Sequence, residues 1–255
     1  MMIIITHVQD TIGYIQLNSP STLNALNLEM GEQISTTLQT WDLDPTVKVV
    51  VIKSLVEKSF SVGIDLKEFA SNNTPEYRQK FLTTWKSIAA FSKPIIMSIN
   101  GYAFGGGLEL ALMGDIRISS ETAVFSQPEL SVGTIPGMGA TQRLPRHIGM
   151  VKAADMILTG RRIDAHTALN WGIVSQVVPQ AHLHQVVVDT ANLIATQSLP
   201  TLIKAKAALQ LADEQPLTQG LAHEQDLFLS TFELEDQQEG FQAFLQKRPP
   251  IFKDH

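Results

Sequence analysis

Residues 94–115, PIIMSINGYAFGGGLELALMGD, constrain the fold of this 255-residue chain more than any other stretch. Ile95 to Ile99 form an apolar run with the look of a buried strand. Asn100-Gly101 breaks it as a turn pair does. The glycine triplet 105–107 follows, and Leu108 to Met113 are good helix formers. A strand therefore passes through a glycine loop into a helix. Bare backbone N–H groups at the start of such a helix favour negative charge. Glu109 sits in the first turn of this otherwise apolar helix. A carboxylate in a buried helix calls for a partner or a purpose. Backbone donors and an acid together point to stabilisation of a developing oxyanion. A plainer reading stays open: glycines can serve close packing, and a first-turn Glu can simply face the dipole.

Other motif readings fail on single residues. Leu110 stands where a G-x-G-x-x-G fingerprint needs its third glycine, and the lysine of a P-loop is missing. His182 and His184 are two apart and point to different sides of a helix, which disfavours joint metal ligation. Leu227 stands where H-E-x-x-H would need its second histidine after His223-Glu224. The serine elbow G-x-S-x-G is absent. The chain has no cysteine, so disulfides, thiol nucleophiles and thiolate metal sites are excluded. A net charge of -6 disfavours nucleic acid as a partner. No apolar stretch is long enough to span a bilayer. Met1 to Ile5 are too short for a signal-peptide core. A soluble protein of a reducing compartment, the cytoplasm, is the expectation.

Taken in order, residues 2–7 and 12–17 read as a hairpin around Asp10-Thr11. Asn27 is a candidate N-cap for a helix with Met30, Ile34, Leu38 and Trp41 on one face, ending at Asp44-Pro45. Residues 47–52 read as a buried strand, and residues 53–65 as a binding loop or a plain turn. Residues 75–91 read as a helix, and 115–119 as a short strand with 122–126 as its neighbour. Glu129 follows, with Leu130, Val132 and Ile135 expected to enclose it. Recurrence of strand, loop and helix favours a layered α/β domain, although no repeat of fixed period is visible. From Met150 onward the segments read mainly as helices whose apolar faces suit packing onto another chain. Lys247-Arg248 suits the C-terminal end of the last helix dipole.

Glu109 and Glu129 both lie in apolar segments beside glycine loops. Two carboxylates in different environments can divide acid and base duties. Glu109, near a helix N-terminus, is expected to favour the ionised form, and an enclosed Glu129 to hold its proton more readily.

Four stretches carry a family likeness: FSVGIDLK (60–67), INGYAFGGGLELALMGD (99–115), SQPE (126–129) and GTIPGMGATQRL (133–144). With them the chain resembles the enoyl-CoA hydratase/isomerase, or crotonase, superfamily, from Leu17-Asn18 and Leu23-Asn24-Ala25-Leu26 to the terminal Phe252-Lys253-Asp254-His255. The resemblance implies an α/β spiral of ββα units over residues 1–195, carrying a CoA-thioester site. It implies a helical oligomerisation region over residues 196–255, with a homotrimer or a dimer of trimers. It also implies an acyl-CoA thioester substrate, no metal or redox cofactor, and hydration of a trans-2-enoyl-CoA to a 3-hydroxyacyl-CoA, as in fatty acid β-oxidation. The catalytic pair would be Glu109 and Glu129. The oxyanion hole would be the N–H groups of Ile64 and Gly106. Leu23, Ala25, Ile64, Asp65, Leu66, Lys67 and Gly106 would line the CoA and acyl site. Lys247, Arg248 or Lys253 would reach a neighbouring subunit's ligand. Two departures stand out. Ile64 is bulkier than the small residue many hydratases carry, which narrows the acyl pocket. Ser21-Thr22 replace a basic residue that would meet the CoA phosphates. An enoyl-CoA isomerase working through Glu129, and a non-catalytic CoA-thioester binder, are the alternatives; the presence of both acids favours the hydratase.

Overall fold

The computed structural model of the chain describes residues 2–255. The predicted hairpin forms, with β1 (Ile4–Gln9) antiparallel to β2 (Ile12–Leu17). Asn27 accepts the Met30 amide at 2.8 Å and so starts α1 (Leu28–Leu43), which stops at Asp44. Met30, Ile34, Leu38 and Trp41 are all buried, as their spacing requires.

Three units of strand, strand and helix follow. The first is β3 (Val49–Ser54), β4 (Ser59–Ser61), α2 (Leu66–Ser71) and α3 (Pro75–Ala89). The second is β5 (Ile95–Ile99), β6 (Tyr102–Phe104) and α4 (Gly106–Ala111). The third is β7 (Ile116–Ser120), β8 (Val124–Ser126), α5 (Ala140–Ile148) and α6 (Met150–Thr159). Then come β9 (Ile163–Asp164), α7 (Ala165–Trp171), β10 (Gln176–Val178) and α8 (Leu183–Ala195). The chain closes with α9 (Leu199–Glu214), α10 (Leu217–Thr231) and α11 (Glu235–Leu245).

Each unit gives its first strand to a six-stranded sheet ordered β1-β2-β3-β5-β7-β10. Its second strand joins a four-stranded sheet ordered β4-β6-β8-β9. The chain thus advances as a spiral, and the neighbouring first strands pair in parallel. Both faces of the middle of the larger sheet are covered, so β5 and the first four residues of β3 are buried and mainly apolar, whereas the edge strand β1 is largely exposed. Leu183, Val187 and Ala191 of α8 pack on Val49, Val51 and Ile96. Val50, Ile52, Ile95, Met97 and Ile99 face the main core with Trp85 and Phe81.

Two expectations need correction. The 122–126 segment is not the neighbour of the strand at Ile116; β8 pairs with β6 and β9 in the other sheet. A tight turn, with the Ala123 amide on Ser120 O, redirects the chain so that Phe125 enters the main core. The passage from strand to glycine triplet also contains β6. Asn100 makes that corner, donating to Val56 O at 2.9 Å and Glu57 O at 2.8 Å.

Helix α9 and the C-terminal tail are tied to the residues just before β7 and β3 by two ion pairs. Lys206 meets Asp115 at 2.9 Å and Lys48 meets Asp254 at 2.8 Å. Among the described residues no single helix is long and apolar enough to cross a membrane.

Candidate active site

The first wall of the site is a loop held by one side chain. Leu23 and Asn24 both have left-handed backbones, with φ of 54 and 57. Asn24 is fully buried and donates to Ser54 Oγ at 2.8 Å and Phe60 O at 3.0 Å. Its Oδ1 accepts the Ser19 amide at 2.7 Å. These bonds place the partly buried Leu23 and Ala25 beside β4. Leu26 then bridges to Ile64 in parallel: its N–H donates to Gly63 O at 2.7 Å and its carbonyl accepts the Asp65 amide at 2.9 Å. In a parallel bridge those bonds pass to the two flanking residues, so the Ile64 N–H faces away from Leu26. Asp65 caps α2 by accepting the Lys67 and Glu68 amides. Leu66 and Lys67 are exposed on its first turn.

The glycine triplet forms the second wall, and each member meets a different need. Gly105 has φ +51 and lies under Glu129: a methyl there would sit 3.0 Å from Oε1 of that acid. A methyl on Gly107 would collide with the Ser61 carbonyl, so this glycine serves packing between α4 and β4. Gly106 opens α4, where N–H groups have no partner within the helix and no side chain caps them. A methyl on Gly106 would lie 3.4 Å from the Ile64 nitrogen, and one on Gly63 would lie 3.3 Å from the Gly106 nitrogen. The backbones of Ile64 and Gly106 therefore lie close together. The packing reading of the glycines holds at Gly107, while Gly106 leaves uncapped N–H groups at the start of α4.

Glu109 is 1% exposed. Its Oε1 accepts the Met138 amide at 2.8 Å and the Ala140 amide at 2.9 Å. Its Oε2 is buried and has no hydrogen-bond partner among the described residues. Burial pushes its carboxyl above the ordinary value, against the downward pull of the Ala140, Met138 and Gly139 amides and of the Arg143 charge. The expectation that the helix start makes Glu109 favour the ionised form is thus corrected: desolvation outweighs the amides and the charge that favour ionisation.

Glu129 opens a short 3-10 turn and is half-buried. Desolvation pushes its carboxyl up to about 7, and the nearby charge of Glu109 adds to the rise. Its proton is retained as expected, but not through the predicted apolar fence. Leu130 and Val132 on the 3-10 turn are exposed at 39% and 55%, and Ile135 in the loop beyond it at 69%. Gly105 and the buried Gln127 enclose the acid instead. In the orientation that satisfies both groups, the Gln127 NH2 donates to Glu129 at 2.9 and 2.7 Å.

The structure therefore brings Glu109, Glu129, Gly106 and Ile64 to one place, with Leu23, Ala25, Asp65, Leu66 and Lys67 on the adjoining loop. The C-terminal cations lie elsewhere. Arg248 makes a two-pronged pair with Glu239 at 2.6 and 2.8 Å. The Lys253 amide donates to Asp236 at 2.7 Å, and Lys247 ends α11 with φ 55. Two surface grooves, one between β1 and α1 and one between α9 and α11, contain none of the predicted site residues. Among the described residues, no three His, Asp or Glu side chains form a group suited to a metal ion. Sequence reasoning missed Asn24, Gln127 and the Met138 and Ala140 amides. Gly137 and Gly139 were the available signal for the last two, since a loop that dense in glycine offers its amides to a neighbour.

Known proteins resemble this chain over nearly its full length. The profile described as "Enoyl-CoA hydratase/isomerase" matches residues 7–255. A probable enoyl-CoA hydratase of Rhizobium meliloti (strain 1021) is 43% identical over 251 residues, 98% of this chain and 97% of the relative. The mitochondrial enoyl-CoA hydratase of Pongo abelii is 42% identical over 96% of this chain and 84% of its own. The crystal structure of an enoyl-CoA hydratase from Bacillus anthracis superposes with a TM-score of 0.95 at 34% identity, covering 100% of both chains. The fold, the paired acids and these likenesses agree: the chain belongs to the enoyl-CoA hydratase/isomerase family.

Proposed function

We propose that this chain is an enoyl-CoA hydratase, a hydro-lyase that adds water across the double bond of a trans-2-enoyl-CoA. The observation that carries the reading is the unpaired, buried Oε2 of Glu109 beside a Glu129 that holds a proton up to about 7. The free carboxylate oxygen of Glu109 accepts the water and takes its proton as oxygen bonds to carbon 3. The C2–C3 π pair moves toward the carbonyl, and negative charge reaches the thioester oxygen. The Ile64 and Gly106 amides donate to that oxygen, each worth about 3 kcal/mol by comparison with other oxyanion holes. Glu129 gives its proton to carbon 2, and the product is a 3-hydroxyacyl-CoA. Acid–base help of this kind contributes roughly a hundredfold to ten-thousandfold. Atoms and charge balance without a metal or redox cofactor.

Leu23 and Ala25 would flank the CoA moiety, with Ile64 to Lys67 on the other side of the channel. The same reading makes the protein a homotrimer or a dimer of trimers. Exposed apolar side chains on the C-terminal helices, Leu217, Phe228, Leu229, Phe244 and Leu245, support a second copy as their cover. A step of fatty acid β-oxidation in the cytoplasm fits this chemistry and a chain without cysteine.

The test is turnover of crotonyl-CoA and longer enoyl-CoA substrates, followed as lost absorbance of the conjugated thioester with identification of the product. Formation of 3-hydroxyacyl-CoA is expected. Double-bond migration without water addition would replace this reading with the isomerase, and tight binding without turnover would replace it with a CoA-thioester binder.

A further inference from the structure

Glu109 does not hold itself in place. Its Oε1 is gripped by the amides of Met138 and Ala140, which belong to the turn between Ile135 and the start of α5. That turn contains glycines and has no regular hydrogen-bond ladder of its own, so something else must fix its two amides. The side chain that does so is Arg143, one turn into α5. Its Nη1 donates to the Met138 carbonyl at 2.9 Å, on the opposite side of the residue whose amide grips Glu109. The Nη1 end of the guanidinium also points at Gly139, which has φ +119. A methyl on Gly139 would collide with Nη1, so the residue between the two gripping amides is a glycine that makes room for the arginine. The Gly139 carbonyl accepts the Arg143 amide at 2.8 Å, which closes the clamp.

Among the described residues Arg143 forms no ion pair, and burial draws its charge into a partly dry setting. A half-buried guanidinium without a carboxylate partner is costly unless its field is used. The charge that faces it is Glu109. Glu129 faces Glu109 from the 3-10 turn. His147, one helical turn further along α5, feels the charges of Arg117, Asp213 of α9 and Arg143.

We propose that Arg143 is a positioning residue: it clamps the Met138–Ala140 turn so that both amides stay on one oxygen of Glu109, leaving the other oxygen free for the reacting water. This deepens the hydratase reading and rests on it for the role of the water. The electrostatic effect has a definite sign. Arg143 lowers the Glu109 carboxyl, so removing the guanidinium moves Glu109 further above the ordinary carboxylate range.

The experiment compares wild type, R143M and R143K. One readout is the pH dependence of kcat and KM with crotonyl-CoA. The other is carboxyl infrared titration of the ligand-free protein, with the Glu109 band identified by its loss in E109Q. For R143M we expect the Glu109 midpoint to rise by about one pH unit. The acid limb of the rate profile rises with it, and kcat at neutral pH drops by about tenfold to a hundredfold while KM changes less than about threefold. R143K keeps the charge without the planar fork, so it restores the midpoint more fully than the rate. An unmoved Glu109 midpoint in both variants, or a loss of rate in R143M equal at every pH, overturns the proposal. If R143M does not fold, R143K alone decides: a normal midpoint with a normal rate overturns it, and a normal midpoint with reduced kcat supports it. If wild type forms no 3-hydroxyacyl-CoA yet the midpoint still moves, the hydratase reading fails and the clamp on Glu109 stands.

Discussion

A methyl group on Gly106 would lie 3.4 Å from the amide nitrogen of Ile64, wedged against Ile64 Cγ1 at 3.2 Å and Met138 Sδ at 3.4 Å. The Gly106→Ala enzyme keeps both amides and keeps α4, since alanine is the better helix former. On the proposed mechanism, the added methyl presses on the Ile64 backbone and displaces one of the two amides that would meet the thioester oxygen. We expect kcat to fall by about a hundredfold or more, the cost of losing one or both oxyanion donors, with little change in melting temperature. Steady-state kinetics beside a melting curve checks this. A variant with wild-type kcat would remove the Ile64–Gly106 pair from the mechanism.

The two acids have different neighbours, so their amides should fail differently. Glu109→Gln replaces the oxygen that takes the water proton. It should reduce hydration by at least about a hundredfold while substrate affinity stays near wild type. Glu129→Gln removes the proton for carbon 2 and should reduce hydration comparably. Any residual isomerisation should survive better in Glu109→Gln, because shifting a double bond needs one acid–base group. Product analysis separates the two. Full double-bond shifting in Glu109→Gln, beside a wild type that never adds water, would favour the isomerase.

The pH profile follows from the environments of the same pair. Glu109 works ionised and Glu129 works protonated. The rate therefore rises as pH passes through the Glu109 carboxyl and falls as it passes through that of Glu129, which lies at about 7. The negative charge of Glu109 helps to hold the Glu129 proton, so both limbs belong to the pair. Measured as kcat/KM, which reports the titration of the free enzyme, activity should decline above about pH 7. A plateau reaching well into the alkaline range would contradict the acid role of Glu129.

The acids and the glycine triplet were legible because charged or bare-backbone groups stood out against apolar neighbours. What escaped is long-range. β6 has only 3 residues, too few for alternation to appear, and it becomes a strand only through Tyr102 pairing with Ser59 and Val124. The partner of β8 depends on a turn at Ala123, whereas local pattern suggested the preceding strand. The spiral hid from a search for repeats because its first strands begin at residues 49, 95 and 116, giving turns of unequal length. The protonation bias of Glu109 depends on burial and on amides 29 and 31 residues away. Helix position alone pointed the wrong way.

Ile64 contributes its side chain to the wall beside Gly106, with Cγ1 3.2 Å from where a Gly106 methyl would stand. Ile64→Ala leaves the N–H in place and shortens that wall. We expect crotonyl-CoA hydration within about threefold of wild type, and a gain of about tenfold or less for longer or branched acyl chains, the scale of one or two methylenes in a pocket. A turnover panel over acyl length reads this directly. An unchanged panel would show that Ile64 does not bound the acyl pocket.

Stability and activity should oppose one another at Glu129. Its carboxyl is raised from 4.5 to about 7, so between those values the folded state binds a proton that the unfolded chain has released. Folding stability then falls as pH rises through that window, and the loss is complete above it. The full shift corresponds to about 3 kcal/mol, which partial solvent access reduces to about 1–2 kcal/mol. Glu129→Gln has no proton to lose, and its amide oxygen still accepts from the Gln127 side chain. The variant should therefore be more stable than wild type at pH 8, by roughly 1–2 kcal/mol, and nearly equal to it at pH 4.5. Urea unfolding at the two pH values measures the difference. A variant less stable than wild type at pH 8 would mean that the Glu129 carboxylate is held favourably by its surroundings, and its service as a proton donor near neutral pH would lose its physical basis.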